Sequence, residues 1–413
     1  MIEKYYDGAI EQVAAGLGTV EKNYLLVRYS GQFSVENLND TKQLEKNEDI
    51  FVQVHEFETG EITCAYEPYL TMICDGFRRY MTGTFEEFME TCDVYYLHRP
   101  VLLGYFNQDN TGREEIILLD EVAYEQERML AALERMLCAI ADRHPVLFVL
   151  NRFQLASKST MQLTARFLKC ENCNIGLVLG VSDIQAMPEF LVPDWEMLYE
   201  TLDDGSKIYH IGNSGRKKEE TIDDEKYVDY GSEKVYRKLQ NMVEFLDFDQ
   251  AAYYLETIER KIKFDNLLVD DAARFRMWLL FVKVSILRQD IPKALEICED
   301  LEKIHLAGKE EECAYEQDYL IATAYMYQGK LKEALEMAGE TYRIAGKMSD
   351  DYRMFLSELL EAKIQMSGWY NIFFCAQDVK IKESLIQNLI RYNYRNHLAH
   401  CLLYTSPSPR DRQ

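Results

Sequence analysis

Tryptophan, proline and positive charge are scarce in this sequence of 413 residues, which has 3 Trp, 8 Pro, and 46 Lys and Arg against 70 Asp and Glu. So little proline beside 47% apolar residues excludes a disordered or collagen-like chain. The net charge of −24 leaves no surplus of cations to neutralise phosphates, which excludes nucleic acid and an anionic membrane as partners of this segment. No apolar run approaches the roughly 18 residues that span a bilayer. The opening MIEKYYDGAIEQVAAGLGTV carries acids and lacks a basic stretch ahead of a long apolar run. It therefore does not read as a signal peptide, and a cytoplasmic location is expected.

Catalytic and metal motifs are missing too. The 10 cysteines are scattered and read as reduced, buried thiols. Cys170 and Cys173 have CxxC spacing, but a zinc site needs a second ligand pair and none is present. A redox CxxC opens a helix after a strand, whereas this one follows a helix, so it reads as a plain loop. His55, His98, His144, His210, His305, His397 and His400 are dispersed, and no GxSxG or HExxH pattern occurs. Carboxylates are too abundant for any pair to stand out, and the run Glu310–Glu312 reads as a loop. No cofactor or metal is expected.

What is present is a change of period along the chain. Residues 1–212 alternate short apolar runs with amphipathic helical patterns. The runs are Tyr24–Arg28, Asp49–His55, Val146–Leu150, Ile175–Val181 and Ile208–Ile211, and the helical patterns cover Tyr69–Tyr80, Phe85–Cys92, Glu121–Ala141 and Thr160–Cys170. Nearly continuous apolar strands alternating with helices predict a parallel sheet covered on both faces. A polar stretch ends this domain, and residues 213–232, with the run Arg216–Lys218, read as a solvated linker.

From Glu233 the period becomes 3.6, and FDQAAYYL, IPKALEIC and LKEALEMA align on Ala251, Ala294 and Ala334, at spacings of 43 and 40 residues. Each alanine follows an apolar anchor (Phe248, Ile291, Leu331) by three residues and predicts the start of the second helix of an antiparallel pair, where close crossing demands a small side chain. Gln328–Gly329 predicts a turn within the third pair. A looser fourth pair is expected over Asp351–Arg395, turning near Gly368. The helical region is thus 233–400. The ending CLLYTSPSPRDRQ breaks this pattern, and Cys401–Asp411 resembles the translation of a synthetic transposase adapter. Residues 401–413 are excluded from fold reasoning, and the natural chain is expected to continue past His400.

The segment AYEQDYLIATAYMYQGKLKEALEMAGETYRIA resembles a tetratricopeptide repeat, with Ile321, Ala322, Tyr325, Gly329 and Ala334 at signature positions. The preceding unit has Trp278 and Ala294 at their places but Val282 and Ser285 where a small residue and tyrosine are usual. The spacing of 40 to 43 exceeds the family's 34, so the units are elongated and degenerate. The resemblance implies an α-solenoid that holds a protein or peptide in its concave groove. The groove-facing positions it implies are Glu233, Tyr236 and Gln240, then Arg276, Leu279 and Lys283, then Glu316, Tyr319, Thr323 and Tyr327.

The front half resembles the nucleotide-binding module of STAND-type signalling ATPases, kin of the AAA ATPases. The likeness is carried by HPVLFVLNRFQLASKSTMQLTARFLK, in which Gln154, Ala156, Ser159, Leu163 and Leu168 fit, and by GLVLGVSD and EPYLTMICDGFRRY. Its chemical positions depart from the family. Asn151 and Arg152 stand where two acids would hold magnesium and activate water. After YLLVR the chain reads YSGQFSVEN. Gly31 is the one remnant of a phosphate loop, and Ser34, Val35 and Glu36 replace its Gly, Lys and Ser/Thr. The winged-helix segment usual before STAND repeats has no room here.

The expected fold class is therefore an α/β domain with a parallel sheet, P-loop-NTPase-like and degenerate, followed by an all-α TPR-like solenoid. The expected function is non-catalytic protein interaction in a bacterial signalling or regulatory protein. Two other readings stay open. One is an ATP-dependent switch with an unusual pocket; the other is a sensor arm whose missing C-terminus carries a helix-turn-helix or a cyclic-dinucleotide synthase.

Overall fold

The computed structural model describes residues 2–19, 23–29, 49–58, 60–109, 121–170, 174–182, 187–203, 208–211, 229–265, 267–371, 383–395 and 397–398. The degenerate loop positions Gly31, Ser34, Val35 and Glu36, together with Cys173, Arg216–Lys218 and the adapter-like tail, lie outside them. The chain forms an α/β unit and a helical unit. The first holds described residues up to 229 and those of 237–250; the second holds 230–236 and those from 251 onward. Among the described residues no helix is long and apolar enough to cross a membrane.

In the first unit, β1 (Asn23–Tyr29), β2 (Phe51–Glu56), β3 (Val146–Asn151), β4 (Ile175–Ser182) and β5 (Ile208–Ile211) form one parallel sheet in the order β2-β3-β4-β1-β5. All five expected strand segments are strands. β3 and β4 are buried along their whole length, which is why they read as unbroken apolar runs. Successive side chains of β3 serve opposite faces. Leu147 and Val149 join Ile10 and Val13 of α1 (Ile2–Gly16) in one cluster with Leu25, Val27 and Val178. Phe148 instead meets the Tyr69 ring of α2 (Tyr69–Tyr80) edge-on at 4.7 Å. α1 sits so close to β4 that a Cβ on Gly176 would come within 2.8 Å of Val13, so only glycine fits there.

Further helices of this unit are α3 (Phe85–Thr91), α4 (Arg99–Asn107), α5 (Val122–Ala141), α6 (Lys158–Lys169) and α7 (Val192–Asp203). A reciprocal capping box between Thr84 and Glu87 starts α3, and the Ser157 hydroxyl accepts the Thr160 N–H to start α6. α1, α4 and α7 have no counterpart among the helices expected from sequence.

The helical unit continues through α8 (Glu233–Glu244), α9 (Phe248–Phe264), α10 (Asp271–Leu287), α11 (Ile291–Leu301), α12 (Glu310–Gln328), α13 (Leu331–Met348), α14 (Asp351–Asn371) and α15 (Glu383–Arg391), the division between units passing through α8 and α9. The anchors Phe248, Ile291 and Leu331 are the first residues of α9, α11 and α13. Ala251, Ala294 and Ala334 have no exposed surface, as close helix crossing requires. α12 ends at Gly329 with φ of 82°, the left-handed conformation that glycine adopts without penalty. Ala322 and Met326 of α12, Ala334 and Ala338 of α13, and Leu360 and Ile364 of α14 share one cluster.

Two expectations are corrected. α14 runs through Gly368 to Asn371, so no turn occurs there; a helix tolerates an interior glycine at about 1 kcal/mol. The run Glu310–Glu312 is the first turn of α12 rather than a loop, where its negative charge meets the positive end of the helix dipole.

Candidate functional site

The first candidate site is the carboxyl end of the parallel sheet, where open α/β sheets bind ligands. Asn151 is the last residue of β3 and has no exposed surface. Its Oδ1 accepts a 2.7 Å hydrogen bond from the hydroxyl of Tyr29, the last residue of β1. The two strands are not neighbours, because β4 lies between them. The residue of β4 that pairs with Tyr29 is Ser182.

Arg152 follows in the left-handed conformation with φ of 53°, opening the tight turn Phe153–Leu155. Its Nε lies 3.3 Å from a carboxylate oxygen of Glu56, the last residue of β2. The buried Gln154 amide closes the far side. Its Nε2 donates to the Ser182 carbonyl at 3.2 Å, and its Oε1 accepts the Ser182 N–H at 3.3 Å. Burial pushes the Tyr29 phenol up to about 12, against the opposing pull of Arg152 and Asn151, so it remains a neutral donor. The ends of β1 and β3 are thus joined by their own side chains, and the turn after β3 reaches the ends of β2 and β4 through Arg152 and Gln154. Among the described residues no group of three or more His, Cys, Asp or Glu could hold a metal ion.

Asn151 and Arg152 therefore stand at the end of β3 as the sequence requires, but their partners Tyr29 and Glu56 were not singled out as such. The available signal was that Tyr29, Glu56 and Asn151 each end an apolar strand, which brings polar groups to one rim of a parallel sheet.

The second candidate site lies within the helical unit. A groove of about 370 Å³ is lined by α10, α12 and α14, the first helix of each successive pair. Of the ten groove positions implied by the repeat resemblance, Lys283, Glu316, Tyr319, Thr323 and Tyr327 line it. The others do not. Glu233 and Arg276 form an exposed ion pair at 2.8 Å, and the Arg276 guanidinium lies 4.9 Å from the Tyr236 ring centre. Leu279 is half-buried elsewhere on α10, and Gln240 falls in the first unit.

The wall from α14 was missed because the groove positions implied by the repeat resemblance stop at the third pair, although a fourth was expected from Asp351. It supplies Tyr352, Arg353, Leu356, Leu360 and Lys363. Arg353 organises one end: its guanidinium holds Glu316 at 2.9 Å and Asp350 at 3.1 Å, and its carbonyl accepts the Tyr315 hydroxyl at 2.9 Å. Tyr315 and Tyr319 stack with centroids 6.0 Å apart. Burial raises both phenols above their ordinary range, so they present neutral hydroxyls. The groove thus joins an aliphatic and aromatic floor to an ion-paired end that keeps one negative charge in excess.

No protein-family model matches the chain, and no curated protein matches it. The two sites are read from their own geometry. One is closed by mutual contacts; the other is an open concavity.

Proposed function

We propose that the chain is the non-catalytic protein-interaction and sensor arm of a bacterial signalling or transcriptional regulatory protein in the cytoplasm. In this reading the front unit is a degenerate STAND/AAA-type module and the helical unit a TPR-like solenoid. The observation that carries it is the hydrogen bond between Tyr29 and Asn151 at the ends of β1 and β3. A triphosphate and its magnesium need amides, an ammonium and carboxylates at those strand ends. Here a phenol and a carboxamide satisfy each other. The neighbouring Arg152 cation faces Glu56 and would repel a metal ion. The position of β1 between β4 and β5 supports the front-half reading, since it brings the carboxyl ends of β1, β4 and β3 side by side.

The interaction role rests on the groove of α10, α12 and α14. Its exposed Tyr327 and Tyr352 offer contact area at low conformational cost, and its aliphatic floor suits a protein or peptide segment. The direct test is a titration of the full chain with a fluorescent ATP analogue, with and without magnesium. No saturable signal is expected. Saturable, magnesium-dependent micromolar binding would overturn the non-catalytic reading in favour of a nucleotide-driven switch.

A further inference from the structure

The thiols of Cys138 and Cys170 lie 3.7 Å apart, sulfur to sulfur, in the first unit. Cys138 occupies the last turn of α5, and Cys170 is the residue that ends α6. Their meeting follows from how the two helices are laced. Arg166 on α6 reaches Glu134 on α5 at 2.7 Å and Glu127 at 2.5 Å. One turn further along each helix, four residues beyond Glu134 and four beyond Arg166, the facing pair is Cys138 and Cys170. Both are half-buried thiols rather than members of a disulfide. Cys74, Cys92 and Cys298 differ in being shut away from solvent, with no second thiol against any of them among the described residues.

We propose that Cys138 and Cys170 are a thiol-oxidation site that closes to a reversible disulfide with a low-molecular-weight disulfide as oxidant. A disulfide holds its sulfurs at about 2.05 Å, so closure asks for about 1.7 Å of approach, within reach of side-chain rotation at a helix end. Cys170, which caps the end of α6, is placed to make the first attack, with Cys138 beside it to resolve. Its thiolate displaces one thiol from the oxidant and forms a mixed disulfide. Cys138 then loses its proton and displaces the second. The protein gives up two electrons and two protons, and the oxidant leaves as two thiols. The CxxC spacing in the sequence thus has a rival partner for Cys170, one supplied by the packing of α5 on α6.

The test uses the full chain, incubated with oxidised glutathione, quenched with N-ethylmaleimide and digested with trypsin without reduction. Mass spectrometry is expected to find the Met136–Arg143 peptide joined to the peptide that begins at Cys170, with fragmentation placing the bond on Cys170, and dithiothreitol is expected to separate them. The Cys173→Ser variant is expected to keep this cross-link in full. A bond inside the second peptide between Cys170 and Cys173, a Met136–Arg143 cross-link that Cys173→Ser removes, or alkylation of both Cys138 and Cys170 would each overturn the proposal. The decisive digest is made on the unsubstituted chain, so failure of a variant to fold cannot obscure it.

Discussion

The rim of the sheet and the groove of the helical unit both collect polar side chains at the ends of regular elements, yet they do so to opposite effect. At the rim, Tyr29 meets Asn151, Arg152 meets Glu56 and Gln154 meets Ser182, so each group is answered from within the sheet. In the groove, Arg353 settles Glu316 and Asp350 at one end, while the remaining tyrosines and aliphatic residues line an open concavity. A buried polar group that already has its partner stabilises a fold and offers little to a ligand. Of the groove's aromatic rings, Tyr315 and Tyr319 pack into the core, while the exposed Tyr327 and Tyr352 have contact area to offer.

That contrast is broken most sharply by Tyr29→Phe. It removes a buried hydrogen bond, and the urea midpoint of the front unit is expected to fall by an amount equivalent to about 1–2 kcal/mol. A stability equal to the parent chain would mean that the rim does not depend on this pair. Asp318→Asn comes next, with the opposite sign. Burial, then Glu340 and Glu302, raise the Asp318 carboxyl to about 6. The folded chain therefore binds its proton more tightly than the unfolded chain. The charge costs stability above pH 6, and that cost fades as pH falls towards 4. The variant should stabilise the helical unit by about 1 kcal/mol at pH 7.5, allowing for solvent screening, with no gain at pH 4 in thermal melts. A gain that is the same at both pH values would count against a titrating origin.

The smallest effect on folding is expected at the groove's exposed cation. Lys283→Ala should shift the melting midpoint by less than about 0.5 kcal/mol equivalent, as surface substitutions do. A larger loss would move Lys283 from the open class to the closed one.

Much of the architecture was readable because burial on both faces leaves an unambiguous trace. β3 and β4 are fully buried and appeared as continuous apolar runs, and Ala251, Ala294 and Ala334 marked helix crossings through their size alone. α4 and α7 were harder, since proline at their first turns and mixed polarity hide the period. Gly368 misled because an interior glycine costs a helix only about 1 kcal/mol, and α14 continues to Asn371. The rim pairings were invisible for a different reason. Tyr29 and Asn151 are 122 positions apart, and only the strand order, with β4 between their strands, brings them to one level. Half of the expected groove positions converged, those on α12 and the end of α10, while the α14 wall belongs to the fourth pair, too loose a match for the repeat signature to assign groove positions on it.

The fully buried alanines at the second-helix starts of α11 and α13 also bear on how such a chain can lengthen or shorten. Because Ala294 and Ala334 hold the same place in successive helix pairs, excising the forty residues between them keeps the helical phase and a small residue at the remaining crossing. Insertions or deletions of forty residues at this joint would be gentler on the molecule than the loss of one.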